Sequence, residues 1–145
     1  MLDVEFYEIN EIDDSLLAYA VIVSRYTDKW VWCKNKVRKG WEVPGGRREK
    51  GESISITAKR ELFEETGAIK YNLIPICIYS VKNGDESFGM LFFADIVELS
   101  SLPETEIERI DFFHDNPEEL SFPLIHPKFM NRVKAVLEVS VYGKI

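Results

Sequence analysis

Apolar residues along this chain fall into short continuous runs and into stripes that repeat every three to four residues, and the two patterns predict different elements. From Leu16 to Tyr26 apolar, β-branched and aromatic residues are almost uninterrupted, as in a strand buried on both faces. The stretch Tyr26-Thr27-Asp28-Lys29-Trp30 turns the chain, and the run from Trp30 to Lys34 resumes as a second strand. A short strand-like stretch follows at Trp41 to Val43, where Pro44 should stop its ladder because it has no amide proton to donate. Then the period changes. Ile54, Ala58 and Leu62 recur every four residues and make one apolar helical face, with Ser53 placed to cap its start and Gly67 to close its end.

From Ile69 to Leu99 the chain reads as one long hairpin, with Asn83-Gly84 supplying the primed turn that two-residue loops prefer. An acidic loop around residues 103–108 precedes a short strand at Arg109 to Phe113. Pro127 opens a last helix, whose stripe is Phe129, Met130, Val133, Val136 and Leu137. Strands, a helix, a long hairpin and a closing helix predict an α+β layered domain, with both helices packed on a mixed β-sheet. No repeat, low-complexity segment or linker interrupts it, so residues 1–145 read as a single domain.

Composition narrows the partners. With 46% hydrophobic and 30% charged residues the chain has the balance of a soluble globular protein. A net charge of −7 leaves no general basic surface for duplex DNA or an anionic membrane. The N-terminus carries acids where a signal peptide needs basic residues, and the longest apolar run, Leu16 to Val23, is too short to span a bilayer. Cys33 and Cys77 stand apart in apolar contexts, as buried free thiols would. These features predict a cytoplasmic protein; monomer and homodimer both stay open.

The candidate chemistry lies at the end of the first helix. Glu61, Glu64 and Glu65 crowd one turn just before Gly67, where the helix macrodipole favours cations instead. At about 100° per residue, Glu61 and Glu65 lie roughly 40° apart and Glu64 roughly 60° to the other side of Glu61. The three carboxylates therefore share one face, and Arg60, four residues before Glu64, cannot neutralise all of them. A hard divalent cation would, with phosphate oxygens and water filling its remaining positions. The loop before the helix suits that phosphate: Gly45 and Gly46 allow close backbone approach, while Arg47 and Arg48 add positive charge. Taken singly, each of these features is also what a solvated surface offers; their combined spacing is what points to a site.

From Gly46 to Ala68 the spacing resembles the signature of the Nudix hydrolases: glycine, five residues, Glu52, seven residues, Arg60-Glu61-Leu62, then Glu64-Glu65 and Gly67. The one soft departure is Ala68, where the family usually carries a larger aliphatic residue. The resemblance implies a Nudix-type α/β/α sandwich that cleaves a diphosphate linked to another moiety, using Mg2+ or, as an alternative, Mn2+. It implies that Glu61, Glu64 and Glu65 hold the metal or its waters, joined by the Gly45 carbonyl. Glu61 is then the expected base for the attacking water, and Arg60 orients its glutamate neighbours. Gly46 and Arg47 would meet the substrate phosphates, and Glu52 would support the loop through an ion pair. Some members recruit a further acid, for which Glu104, Glu106, Glu108, Glu118 and Glu119 are candidates, Glu106 and Glu108 foremost.

The run Trp41-Glu42-Val43-Pro44-Gly45-Gly46-Arg47 is similar to that of MutT-like nucleoside triphosphate pyrophosphohydrolases, with Arg47 in place of their usual lysine. That implies a small nucleotide substrate, an oxidised purine such as 8-oxo-dGTP among the candidates. ADP-ribose, a nucleotide sugar, a dinucleoside polyphosphate and capped RNA remain alternatives, as does a nucleotide-sensing domain without turnover. Against the last, all three helix acids are present. Phe88, Phe92, Phe93, Phe112 and Phe113 are candidate stacking residues, although aromatics in strands more often build the core. His114 and His126 show no sequence partner, and Asn116 and Asn131 have nothing to set them apart.

Overall fold

A computed structural model describes the backbone of residues 1–143 and the side chains to residue 139. The strands are β1 (Asp3–Tyr7), β2 (Leu17–Tyr26), β3 (Lys29–Asn35), β4 (Trp41–Glu42), β5 (Gly45–Arg47), β6 (Ala68–Asn83), β7 (Asp85–Leu99) and β8 (Ile107–Phe113). The helices are α1 (Ile54–Thr66) and α2 (His126–Gly143), with a 3-10 turn at Asp14–Leu16. All eight strands join one sheet, ordered β1-β6-β7-β2-β3-β4, with β5 also on β2 and β8 also on β3. The β2–β7 pair is parallel and the others are antiparallel, so the sheet is mixed as expected.

Strand periodicity splits β2 between two cores. Ala20 and Ile22 pack on one side with Ile54, Ala58 and Leu62 of α1. Val21 and Val23 pack on the other with Phe129, Met130 and Val133 of α2. A helix layer on each face makes the α/β/α sandwich, and the fully buried run Ala20 to Val23 is apolar because both of its faces are covered. The α1 ends follow their local chemistry. Ser53 Oγ accepts the Ile56 amide at 3.2 Å, and Gly67 takes φ +79° while its own amide reaches the Phe63 carbonyl at 2.8 Å.

Two expectations are corrected. The hairpin between β6 and β7 does turn at Gly84 with φ +85°, but Asn83 stays outside the left-handed region. The loop with both central residues left-handed is Thr27-Asp28, between β2 and β3. Pro44 does not end pairing either. Its carbonyl accepts the Ile22 amide at 2.8 Å, and the chain then exchanges partners, from β3 at β4 to β2 at β5. A proline has lost only its donor, so the acceptor still serves a ladder. The N-terminal segment, for which the sequence reading named no element, forms the edge strand β1: Val4 and Phe6 lean on the second core and alternate with the acids Asp3 and Glu5, the period-two pattern of a half-buried strand.

Candidate active site

Arg60 is the hub of the acidic helix end. Its Nε and Nη2 donate to the two carboxylate oxygens of Glu52 at 2.6 and 3.0 Å. Its Nη1 donates to Glu61 Oε1 at 2.8 Å and to Glu64 Oε1 at 3.1 Å, and Nη2 also reaches the Arg47 carbonyl at 3.0 Å. One planar guanidinium thus ties the loop to two of the three helix acids. Glu52 pairs with Arg60 in the loop. Beyond Arg60 it accepts the Glu49 amide and the Thr57 hydroxyl, each at 2.9 Å, and these bonds, Arg60 first, hold its carboxyl down at about 2.

Glu65 turns elsewhere. Its Oε1 accepts the Gly45 amide at 2.8 Å, joining the C-terminal end of α1 to the start of β5. Glu61 and Glu65 are both buried, whereas the Glu64 side chain is 41% exposed. Burial raises Glu61 to about 7 against the pull of Arg60, with repulsion from Glu64 and Glu106 adding to it. Burial also raises Glu65 to about 9 despite the Gly45 amide, with Glu61, Glu106 and Glu42 contributing. Of the five outlying acids, Glu106 is the one whose charge registers at both. Its segment lies against α1, since the neighbouring Thr105 hydroxyl reaches the Glu64 carbonyl at 3.4 Å. Glu106 is exposed like the other four, but Glu108 instead sits 3.6 Å from Arg109, and the charges of Glu104, Glu118 and Glu119 register at neither helix acid.

Among the described residues no three acidic, histidine or cysteine side chains already form a metal cage. Glu61 and Glu64 face Arg60, and Glu65 faces a backbone amide. The donor set nevertheless suits a hard divalent cation: Glu61 and Glu64 around one guanidinium and Glu65 beside them, with Glu61 and Glu65 buried and raised chiefly by that burial. The loop glycines fit as well. A Cβ on Gly46 would collide with the Glu61 carboxyl group, and one on Gly45 would meet the Ala20 carbonyl oxygen.

The paired arginines divide their work. Arg48 is committed to structure: its guanidinium holds the carbonyls of Glu52 (2.8 Å), Asp14 (3.0 Å) and Leu17 (3.3 Å), and the Asp14 carboxylate at 3.0 Å. It locks the loop instead of offering free charge to a phosphate. Arg47 is exposed, lies over the Tyr19 ring and donates to the Tyr19 hydroxyl at 3.1 Å.

A model of the NUDIX domain matches residues 15–134. The chain belongs to the Nudix family. It is 33% identical over 102 residues to YtkD of Bacillus subtilis (strain 168), a provisional 8-oxo-dGTP diphosphatase, covering 69% of this chain and 64% of that one. It is 56% identical over 57 residues to mouse nucleoside diphosphate-linked moiety X motif 6, covering 39% of this chain and 18% of that one. The match therefore spans under two thirds of either relative's length. In fold it is similar to the Bacillus subtilis pyrophosphohydrolase BsRppH, with TM-score 0.77 and 24% identity over 92% of this chain and 90% of that one. A UDP-X diphosphatase aligns with TM-score 0.73 and 18% identity, over 90% of this chain and 66% of that one. Nudix hydrolases act on phosphoanhydride bonds of small nucleotides with divalent metal ions, and this chain has their fold.

Across the sheet from the acids lies a cavity of about 400 Å³ lined by Tyr19, Val21, Tyr79, Val81, Ser87, Phe122, Ile125, His126 and Phe129. Its size and largely apolar wall suit a small organic ligand. His126, which showed no partner in sequence, is buried, and its Nδ1 accepts the Val43 amide at 3.0 Å. The pair is 83 residues apart, so no local pattern announces it. Burial lowers the imidazole to about 4, and it is neutral at ordinary pH. The aromatics singled out from sequence belong to the cores: Phe92 and Phe93 are buried, while Phe88, Phe112 and Phe113 pack against buried clusters. His114, Asn116 and Asn131 are exposed.

No helix among the described residues is long and apolar enough to cross a membrane. Cys33 and Cys77 are free and buried, as expected.

Proposed function

We propose that this chain hydrolyses a nucleoside triphosphate to its monophosphate and pyrophosphate, with oxidised purines such as 8-oxo-dGTP among its substrates. The observation that carries the reading is the setting of Glu61. It is a buried carboxylate pressed against the Gly46 backbone, bonded to Arg60 through Oε1, with its basicity raised to about 7. A group poised near neutrality can take a proton from water and later release it. The substrate preference rests on the Trp41–Arg47 stretch and on the partial likeness to YtkD.

Glu61, Glu64 and Glu65, with the Gly45 carbonyl and Glu106, would hold Mg2+, with Mn2+ as its substitute. Such a cation, when bound, offsets phosphate charge and acidifies a coordinated water. The protein's own groups do the rest. Glu61 accepts the water proton at its carboxylate. Arg60 fixes the Glu61 and Glu64 carboxylates while Glu52 fixes Arg60. Arg47, exposed at the loop beside Gly46, meets the phosphates, and the cavity beyond Tyr19 receives the nucleoside.

The test is a product-resolved hydrolysis screen of purified protein on unmodified and oxidised nucleoside triphosphates, ADP-ribose, nucleotide sugars, dinucleoside polyphosphates and capped RNA. Pyrophosphate and a nucleoside monophosphate should appear together, chelation should stop the reaction and magnesium should restore it. Turnover confined to one of the other substrates would replace this reading. Metal-independent turnover would overturn its mechanism.

A further inference from the structure

We infer that His126 is a specificity-determining donor that selects nucleotides whose purine turns a keto oxygen, instead of an amine, toward it. This deepens the proposed function and rests on the cavity being the nucleoside site. The cavity and the catalytic loop share β2: Tyr19 pairs with Arg47, and Val21 pairs with Gly45. A nucleoside in the cavity would thus direct its phosphates toward Arg47, whose guanidinium lies over the Tyr19 ring at the cavity edge.

The walls favour a flat ring. Tyr19, Phe122 and Phe129 are aromatic, and Val21, Val81 and Ile125 complete an apolar lining. Most polar groups there do not discriminate, because the hydroxyls of Tyr19, Tyr79 and Ser87 can each donate or accept. The imidazole is different. Its Nδ1 is occupied by the Val43 amide, so in the neutral ring the proton belongs on Nε2. The ring is held by Phe122 at 5.0 Å, Phe129 at 5.9 Å and Trp32 at 6.4 Å between centroids, which limits reorientation. Among the side chains lining the cavity, the imidazole is therefore the one that can only donate. A keto oxygen satisfies it. An exocyclic amine would set two donors face to face and leave a buried group unpaired, a penalty that separates close analogues strongly.

Inosine and adenosine triphosphate form a matched pair, since they differ at the purine 6-position and the adjoining ring nitrogen. Wild-type kcat/KM should favour the inosine nucleotide by at least about tenfold. His126→Asn keeps an acceptor near the Nδ1 position for the Val43 amide and withdraws the Nε2 donor; it should reduce that ratio to near one. His126→Gln, which retains reach and a donor, should restore part of it. Unchanged melting temperatures would exclude loss of fold as the cause. Binding of inosine and adenosine monophosphate, measured calorimetrically, reads selectivity without turnover. Selective monophosphate binding lost in His126→Asn upholds the inference even if no triphosphate is cleaved, in which case the proposed function alone fails. Equal wild-type preference for the two nucleotides, or an unaltered ratio in His126→Asn, overturns it.

Discussion

The sheet carries two polar devices at opposite faces, and they are built on opposite principles. At the α1 end, carboxylates outnumber the one guanidinium among them, and burial, with mutual repulsion adding to it, raises Glu61 and Glu65. In the cavity against α2, one neutral imidazole is satisfied at Nδ1 and surrounded by aromatic rings. The first suits a divalent cation and chemistry in which charge develops; the second presents one directional hydrogen bond and suits recognition. The difference teaches that charge density and hydrogen-bond direction are separable. A substitution in the first region should appear in kcat, and one in the second in selectivity.

The sharpest test is Glu61→Gln, which keeps volume and removes basicity. Turnover should fall by about 10²–10⁴-fold with the fold retained in circular dichroism; full activity would assign the base elsewhere. Phe129→Ala should come next, because Phe129 is 1% exposed and serves both the second core and the cavity wall. It should cost about 3–5 kcal/mol in denaturant unfolding. A much smaller loss would mean that the α2 layer is looser than its packing indicates. Arg47→Ala should raise KM roughly tenfold with kcat little changed, because Arg47 contacts Tyr19 and not the helix acids. A kcat loss equal to that of Glu61→Gln would merge the two regions into one functional unit.

The last test concerns pH. In the metal-free protein Glu65 is raised from 4.5 to about 9 and Glu61 to about 7. Between about pH 4.5 and 7 both folded groups hold protons that the unfolded chain has released, and Glu65 continues to do so toward 9. Stability from these groups therefore falls as pH rises through that window. Melting temperatures measured in chelator should decline from pH 5 to pH 8, and Glu65→Gln should flatten the decline. An identical slope in the variant would show that other groups set it.

Much of the acidic site was legible because its residues are close in sequence and helical geometry converts spacing into direction. Arg60, Glu61 and Glu64 lie where a 100° step puts them, and Ser53 and Gly67 cap the helix through local backbone chemistry. What eluded local reading depends on pairing across the sheet. Arg48 looked like phosphate-facing charge until the Glu52 carbonyl and three acceptors on the distant Asp14–Leu17 segment claimed its guanidinium. The exchange of partners at Pro44 hinges on which strand lies next to its carbonyl, and no local pattern states that.

Sequence alone determined the motif helix, its carboxylates, the apolar stripes of both helices and hence the layered class, because periodicity and spacing act over a few residues. Tertiary structure alone decided that Glu65 faces the Gly45 amide, that Glu106 joins the electrostatics of the acids, and that His126 meets Val43. Those contacts join segments far apart in the chain. Their partners are chosen by strand register and packing, which come into being only when the whole sheet has formed.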